Sequence, residues 1–296
     1  MISVIIINHN TPEVTLKCLE HLHRSQDVEF ETIVINNTPE DKLFYPKVKI
    51  FNNPKRLGFG ANNNKGMKVA TGDRILLLNS DCFVNPDTLS ILNTQYSILN
   101  WDVVGCRLTD EHGKTRPSSG YFPTLRRIIL LMSFIDNMPM VRRFVDSIHV
   151  RDLSRYENGH EVDWVQGAFV FLKREVYDKT GGFDENFHMY GEEIEWQYRI
   201  KKAGFKVFYF PKVSAVHLER MSVKSYAGAF IGEMKGYLYW FKKYQPDWQQ
   251  RMLAVVLFGG CIIRIPAWSV WGKWDLVRAY VQILPTLLSE IFPKTK

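Results

Sequence analysis

Three separated pieces of the chain could share one chemistry. Asp81 closes the run Arg74-Ile-Leu-Leu-Leu-Asn-Ser-Asp81, His217 follows Val216 at the end of a later apolar stretch, and Glu192-Glu193 stands between them in sequence. A carboxylate and an imidazole around open coordination positions suit Mg²⁺ or Mn²⁺ holding a diphosphate. A further carboxylate can then act as general base. Each piece also has a plainer reading when taken alone. Asn79-Ser80-Asp81 can be a polar turn after a strand, His217 a hydrogen-bonded strand-end histidine, and Glu192 and Glu193 acids favoured by a helix dipole.

The elements around these residues favour the chemical reading. Four of the five residues Arg74–Leu78 are apolar, as suits a strand buried on both faces of a parallel sheet. Asn79-Ser80-Asp81 then falls at the C-terminal edge of that sheet, where open α/β sheets bind ligands. Asn85-Pro86 predicts the start of a helix running to about Leu99, with Asn85 as N-cap. Ser3–Ile7 predicts a first strand ending in Asn8-His9-Asn10, and Thr11-Pro12 a helix start. Thr32–Ile35 predicts a second strand ending in Asn36, and Val48–Phe51 an edge strand. Leu57-Gly58-Phe59-Gly60 through Asn64-Lys65-Gly66 predicts a turn leading into a helix through Ala70. Val103–Cys106 is another short strand, Val162–Leu172 a strand broken at Gly167, and Glu192–Ala203 a helix ended by Gly204. Val207–Phe210 and Val213–Val216 read as two short strands before His217. Strands alternating with helices at this spacing predict an α/β fold with a mostly parallel sheet.

Between about residues 109 and 161 the pattern loosens. Arg126–Met132 and Met140–Phe144 mix basic and apolar residues, as short amphipathic helices of an insertion do. The net charge of +7 is uneven: from Met221 onward ten Lys/Arg face four Asp/Glu. The body is near neutral, which argues against a nucleic-acid partner, and the basic tail predicts an anionic membrane surface. Tyr237, Tyr239, Trp240, Phe241 and Tyr244 interleave there with Lys235, Lys242 and Lys243. The charge-free run Leu253–Ile263 is too short to span a bilayer. The tail is therefore expected to lie on or dip into the membrane, with Trp268, Trp271 and Trp274 at headgroup level. Cys18, Cys82, Cys106 and Cys261 form no Cys-x-x-Cys pair, and the first residues read as a strand and not as a signal peptide. A reducing cytoplasm is expected.

Taken together, the motifs resemble the family 2 inverting glycosyltransferases of the GT-A fold, over residues 2 to about 222. Ser3–Asn8 with Asn10 resembles the first strand and base-binding loop, and Leu57–Gly66 the loop beside the nucleotide. Leu77–Asp81 resembles the Asp-x-Asp metal motif, and Val162-Asp-Trp-Val-Gln-Gly-Ala168 the acceptor-side strand. Gly182–Glu185 with Tyr190–Glu195 resembles the segment carrying the base, and Val216-His217 the metal-binding histidine. The resemblance implies a GT-A domain over residues 1–222, with the 109–161 insertion on the acceptor side, and a helical amphipathic appendage over 223–296. It implies that Asp81 and His217 hold a divalent metal, Mg or Mn, with Asn79 nearby. Asn8, Asn10, Asn36, Gly58 and Asn64 would line the nucleotide, and Trp164, Gln166 and Gly167 the acceptor. It implies Glu193 as base, with Glu192 its neighbour. Asn79 stands where the family usually has Asp, Asn36 where it has a base-reading Asp, and Glu193 where Asp is more usual.

Within the family the nearest likeness is to bacterial rhamnosyltransferases of surface-polysaccharide synthesis. That implies dTDP-L-rhamnose as donor, a polyprenyl-diphosphate-linked saccharide as acceptor, and a peripheral place on the cytoplasmic face of the plasma membrane. Another UDP- or dTDP-sugar is the alternative donor, and a non-catalytic sugar-nucleotide or membrane-binding module the alternative class. A dinucleotide oxidoreductase, suggested by Gly58-Phe-Gly60, is disfavoured, because a third glycine at the required offset is missing.

Overall fold

The computed structural model describes residues 1–292 except 97, 99–100, 134, 136–137, 139, 142–143, 146–147, 188–189 and 219–225. The chain forms two compact units: residues 1–120, 152–186 and 192–222, and residues 121–151, 187–191 and 223–296.

The first unit is built on strands β1 (Ile2–Asn8), β2 (Phe30–Asn36), β3 (Val48–Asn52), β4 (Arg74–Asn79), β5 (Cys82–Val84) and β6 (Val103–Thr109). It continues with β7 (Ser119–Gly120), β8 (His160–Glu161), β9 (Trp164–Val165), β10 (Phe169–Lys173) and β11 (Val207–His217). Its helices are α1 (Pro12–Leu22), α2 (Phe59–Val69), α3 (Thr88–Tyr96), α5 (Arg174–Thr180) and α6 (Glu192–Lys202), α4 belonging to the second unit. The main sheet runs β3-β2-β1-β4-β10-β6-β11-β5, with β8 on β11, while β7 and β9 pair apart. β3, β2, β1 and β4 are parallel, as are β6 and β11. β10 and β5 run antiparallel to their neighbours. The apolar runs explain the placement: Val4, Ile5 and Ile6 of β1, Ile33–Ile35 of β2 and Ile75–Leu78 of β4 are buried, because helices cover both faces.

Three details differ from the sequence expectation. α3 begins at Thr88, not at Asn85-Pro86. The Thr88 hydroxyl accepts from the Asn85 amide at 3.1 Å, and the Thr88 amide donates to the Asn85 carbonyl, so this stretch is a turn before the helix. The two short strands before His217 are one strand, β11, which passes through Pro211 with an irregular register between Phe210 and Ser214. The Val162–Leu172 strand is two, β9 and β10, on different sheets. α2, α6 and the edge strand β3 lie where the pattern places them. Of the second amphipathic segment, Met140–Phe144, residues 142–143 lie outside the described residues.

The second unit is helical: α4 (Leu125–Met132), α7 (Tyr226–Tyr244), α8 (Asp247–Val270) and α9 (Trp274–Ile291). The charge-free run is only the middle of α8, a 24-residue helix that continues through Pro266. By length and composition α8 could cross a membrane, but a third of its most apolar window is buried inside the protein. Its buried face carries Leu253, Ala254, Leu257, Cys261 and Arg264. Ile128, Leu131 and Met132 explain the apolar half of the Arg126–Met132 pattern, since they are the buried face of α4. Tyr237, Trp240 and Phe241 are buried, so these tail aromatics are core and not membrane surface, whereas Trp271 and Trp274 are exposed. Gly272 takes φ +66° in the turn between α8 and α9, a conformation that suits glycine.

Helix α2 crosses β1 with Gly66 against Ile5, so closely that a Cβ would overlap the Ile5 side chain. Gly→Ala in a helix normally gains about 1 kcal/mol, but overpacking a rigid core costs roughly 1–3 kcal/mol. Ile5 is fully buried in a central strand and has no room to yield. Gly66→Ala is therefore expected to lower Tm by roughly 2–4 °C, the worth of about 1 kcal/mol in a domain of this size. A raised Tm in thermal unfolding would contradict the packing account.

Candidate functional site

The register of the parallel strands sets the site. Asn8 pairs with Asn36, and Ile7 with Asn79, so β1, β2 and β4 end in polar residues along one edge. Behind that edge lies a network of buried amides. Asn8 Nδ2 donates to Asn36 Oδ1 and to Asp41 Oδ2, each at 2.8 Å, and Asn8 Oδ1 accepts from the Thr15 hydroxyl at 2.9 Å. Asn36 Nδ2 donates to the Asp41 carbonyl and to Asn52 Oδ1. Asn53 Nδ2 donates to Asn37 Oδ1 and Asn62 Oδ1. Asn8 and Asn36 are fully buried. The expectation that Asn36 faces a base thus meets a residue with no exposed surface, whose amide is engaged with Asp41 and Asn52. Asn8 and Asn36 shape the loops of the edge. Asn10, in the left-handed region at φ +59°, is exposed there and accepts from Arg56 Nη2 at 3.0 Å.

Gly58 precedes α2, and its carbonyl accepts from Asn62 Nδ2 at 2.8 Å. Asn64 is a clamp. Its Nδ2 donates to the Phe183 carbonyl and to Glu185 Oε1, while its Oδ1 accepts from the Phe183 amide at 2.8 Å. It pins the Gly182–Glu185 loop and leaves little for a nucleotide.

Asp81 and His217 meet. β5 runs antiparallel to the end of β11, pairing Cys82 with His217, and the Leu218 amide donates to the Asp81 carbonyl at 3.0 Å. His217 Nε2 lies 3.3 Å from Asp81 Oδ1, with both residues buried. His217 Nδ1 is also buried and meets no hydrogen-bond partner among the described residues, a deficit that costs about 1–3 kcal/mol unless a ligand meets it. Among the described residues no cluster of three or more His, Cys, Asp or Glu is placed to hold a metal. Asp81 and His217 still fit Mg²⁺ or Mn²⁺ by donor chemistry and spacing: two adjacent ligands of an octahedral ion stand about 3 Å apart. The remaining positions would fall to phosphate oxygens and water, as is usual for these hard cations. Asn79, half-buried at the end of β4, stands two residues from Asp81.

The two glutamates have different surroundings. Tyr190 and Gly191 take φ +70° and +99°, a sharp turn that opens α6 at Glu192. Adjacent helical residues point about 100° apart. Glu192 points inward and is buried, and among the described residues its Oε2 meets no hydrogen-bond partner. Burial, with the neighbouring Glu193 charge, pushes its carboxyl up to about 8. Glu193 is half-buried and lies toward Gly167, where a Cβ would stand 3.8 Å from the Glu193 Cβ and 3.4 Å from the Phe59 ring. One turn on, Gln197 fixes this arrangement. Its Nε2 donates to the Val165 carbonyl at 2.8 Å and to the Glu193 carbonyl at 3.0 Å, and its Oε1 accepts from the Val165 amide at 2.7 Å. Trp164 is buried, so its ring belongs to the core, whereas Gln166 is half-buried beside Gly167. The structure therefore brings Glu193, Gln166 and Gly167 to one place. Gln197 and Asp41 were not anticipated. The only sequence signal for Gln197 is its i+4 spacing from Glu193, and Asp41 sits in a loop with no signal at all.

Residues 3–128 match the sequence model of the family described as Glycosyl transferase family 2. The chain is 25% identical to the rhamnosyltransferase WbbL of Escherichia coli, over 76% of this chain and 86% of that protein. It is 24% identical to an N-acetylglucosaminyl-diphospho-decaprenol L-rhamnosyltransferase of Mycobacterium tuberculosis, over 58% of this chain and 59% of that protein. Among solved structures, the mannosyltransferase PcManGT of Pyrobaculum calidifontis, in complex with GDP-Man and Mn²⁺, superposes with TM-score 0.56 at 14% identity. That match covers 99% of this chain and 88% of PcManGT, and the shared architecture is the GT-A fold.

Glu192 predicts a pH signature. Its folded-state value of about 8 lies above the ordinary 4.5, so between these values the folded protein holds a proton that the unfolded chain has lost. Stability from this group therefore falls as pH rises through that window. Glu192→Gln keeps the shape and does not titrate. Its Tm relative to the parent is expected to rise steadily from about pH 4.5 and to level off above about pH 8. Parallel Tm curves for the two proteins would refute the burial argument.

Proposed function

For a chain that carries a Glycosyl transferase family 2 domain on a GT-A fold, we propose an inverting, metal-dependent hexosyl transfer to a lipid-linked saccharide. The donor we assign is dTDP-L-rhamnose, the acceptor a polyprenyl-diphosphate-linked sugar, and the product a surface polysaccharide precursor. The observation that carries the reading is the Asp81–His217 pair, 3.3 Å apart at the strand-end edge. The names of the two relatives support the sugar, and the mycobacterial relative's name supports the lipid diphosphate. The solved complex with Mn²⁺ supports the ion. The exposed Trp271 and Trp274 on a basic segment support a peripheral place on the cytoplasmic face of an anionic membrane.

In this reading Asp81 and His217 hold the divalent ion, which when bound neutralises charge on the diphosphate as it leaves. Gln197 and the left-handed turn at Tyr190-Gly191 fix α6, so that Glu193 meets the acceptor hydroxyl beside Gly167 and Gln166. Glu193 takes the hydroxyl proton as the acceptor oxygen bonds to the anomeric carbon. The carbon–oxygen bond to the diphosphate breaks on the opposite face, and the nucleoside diphosphate departs with the electron pair. Burial pushes the Glu192 carboxyl up to about 8, which sets it apart from Glu193 in this turn.

Glu193→Gln keeps the packing and removes the base. It is expected to lower kcat by roughly 10²–10⁴, with donor affinity unchanged, because the donor contacts lie at the strand ends. NMR of the product is expected to show the inverted configuration, α from a β-linked rhamnosyl donor. Near-normal turnover in Glu193→Gln, or a retained configuration, would overturn the mechanism.

A further inference from the structure

The loop after β2 holds a carboxylate with no part in the chemistry above. Asn36, at the end of β2, is spent on the protein. Its Oδ1 accepts from Asn8 Nδ2 at 2.8 Å and from the Thr38 amide at 3.3 Å. Its Nδ2 donates to the Asp41 carbonyl at 2.9 Å and to Asn52 Oδ1 at 2.8 Å. A side-chain amide has two hydrogens and two lone-pair positions, so no group of Asn36 is left for a ligand. Asn8 is filled in the same way: its two Nδ2 hydrogens go to Asn36 and Asp41, and both asparagines are fully buried.

Asp41 is the member of this network that ends in the open. Its amide donates to the Thr38 carbonyl at 3.0 Å, its carbonyl accepts from Asn36, and its Oδ2 accepts from Asn8 Nδ2 at 2.8 Å. These three bonds tie the carboxylate to the ends of β1 and β2. Its Oδ1 meets no donor among the described residues, and the residue is half-buried. A carboxylate oxygen accepts hydrogen bonds and donates none. It stands where the strand order turns from β2 on one side of β1 to β4 on the other, the place at which open α/β sheets take ligands. β2 and β4 are two strand spacings apart, about 10 Å. A nucleoside diphosphate with its phosphates at Asp81, beyond β4, would carry its base across β1 toward Asp41. Thymine and uracil present a ring N–H between two carbonyls. Cytosine and adenine present a bare ring nitrogen there, which would meet Oδ1 acceptor to acceptor.

We infer that Asp41 Oδ1 accepts the ring N–H of the donor's pyrimidine, so that Asp41, and not residue 36, selects the base. The inference rests on the transfer reading above and adds to it the residue that sets the nucleotide class. The test is calorimetry of the full chain with Mn²⁺ and three ligands: thymidine diphosphate, its N3-methyl derivative and deoxycytidine diphosphate. The methyl group removes the one N–H and leaves the sugar and phosphates as they are. The variant is Asp41→Asn, checked by thermal melting. Its side-chain oxygen can still take the Asn8 bond, which turns its NH₂ toward the base, donor against donor. In the parent, methylation and the cytosine base are each expected to weaken binding by roughly 10- to 100-fold, the worth of a hydrogen bond to a charged group. In Asp41→Asn, thymidine diphosphate should lose a similar factor and methylation should cost nothing further. Deoxycytidine diphosphate should then bind at least as well as thymidine diphosphate. A methyl group that only crowds the site would cost the same in both proteins, and that result would overturn the assignment. Equal binding of all three ligands by the parent, a comparison that needs no variant, would also overturn it and leave the transfer reading standing. A parent that binds no nucleoside diphosphate at all would overturn the transfer reading, and the inference with it.

Discussion

The site depends on a single constraint: parallel strands must end together, and a short antiparallel strand must return beside them. β1, β2 and β4 align Asn8, Asn36 and Asn79 by register. β5 then turns back against β11, so that Cys82 faces His217 and the Leu218 amide reaches the Asp81 carbonyl. Because side chains alternate along a strand, a slip of one residue in β11 would turn His217 to the other face. The irregularity between Phe210 and Ser214 sits within that same strand, where register against β6 shifts. The strand that delivers the imidazole is thus held by β6 on both sides of the irregularity, and by β5 as well after it.

The loops beyond the strand ends are rigid for a different reason. A buried amide without a partner is expensive, and here amides satisfy one another: Asn8 with Asn36 and Asp41, Asn36 with Asn52, and Asn53 with Asn37 and Asn62. Lys65 Nζ adds a bond to Asn53 Oδ1 at 2.7 Å. Beside Gly167, Gln197 does the same for Val165 and α6. The rim of the site is preorganised by hydrogen bonds that a ligand need not supply.

Much of this was legible in the sequence, for physical reasons. Continuous apolar runs ending in Asn or Asp mark strands buried on both faces, so β1, β2 and β4 and their polar ends could be read directly. The order of the motifs singled out Asp81, Glu193 and His217, and the structure brings Asp81 and His217 together. What could not be read was long-range pairing. Nothing in Pro211 announces that β11 continues through it, and nothing in Asn64 shows that it clamps Phe183 and Glu185. Asn85 does not cap the helix as expected: its amide donates to the Thr88 hydroxyl and its Nδ2 turns toward Ser214. In the helical unit, aromatic and basic residues read as a membrane face, whereas Tyr237, Trp240 and Phe241 fill the core and Arg264 turns inward. Composition reports that such residues are present and is silent on which way they point.

The central claim is that the strand-end geometry makes Asp81 and His217 the two protein ligands of one divalent ion. Anomalous diffraction from crystals grown with Mn²⁺ and a nucleoside diphosphate tests this directly. The account predicts one manganese peak at roughly 2.0–2.3 Å from both the Asp81 carboxylate and the His217 imidazole, lost in Asp81→Ala. A bound nucleotide with the manganese elsewhere, or with none, would contradict it.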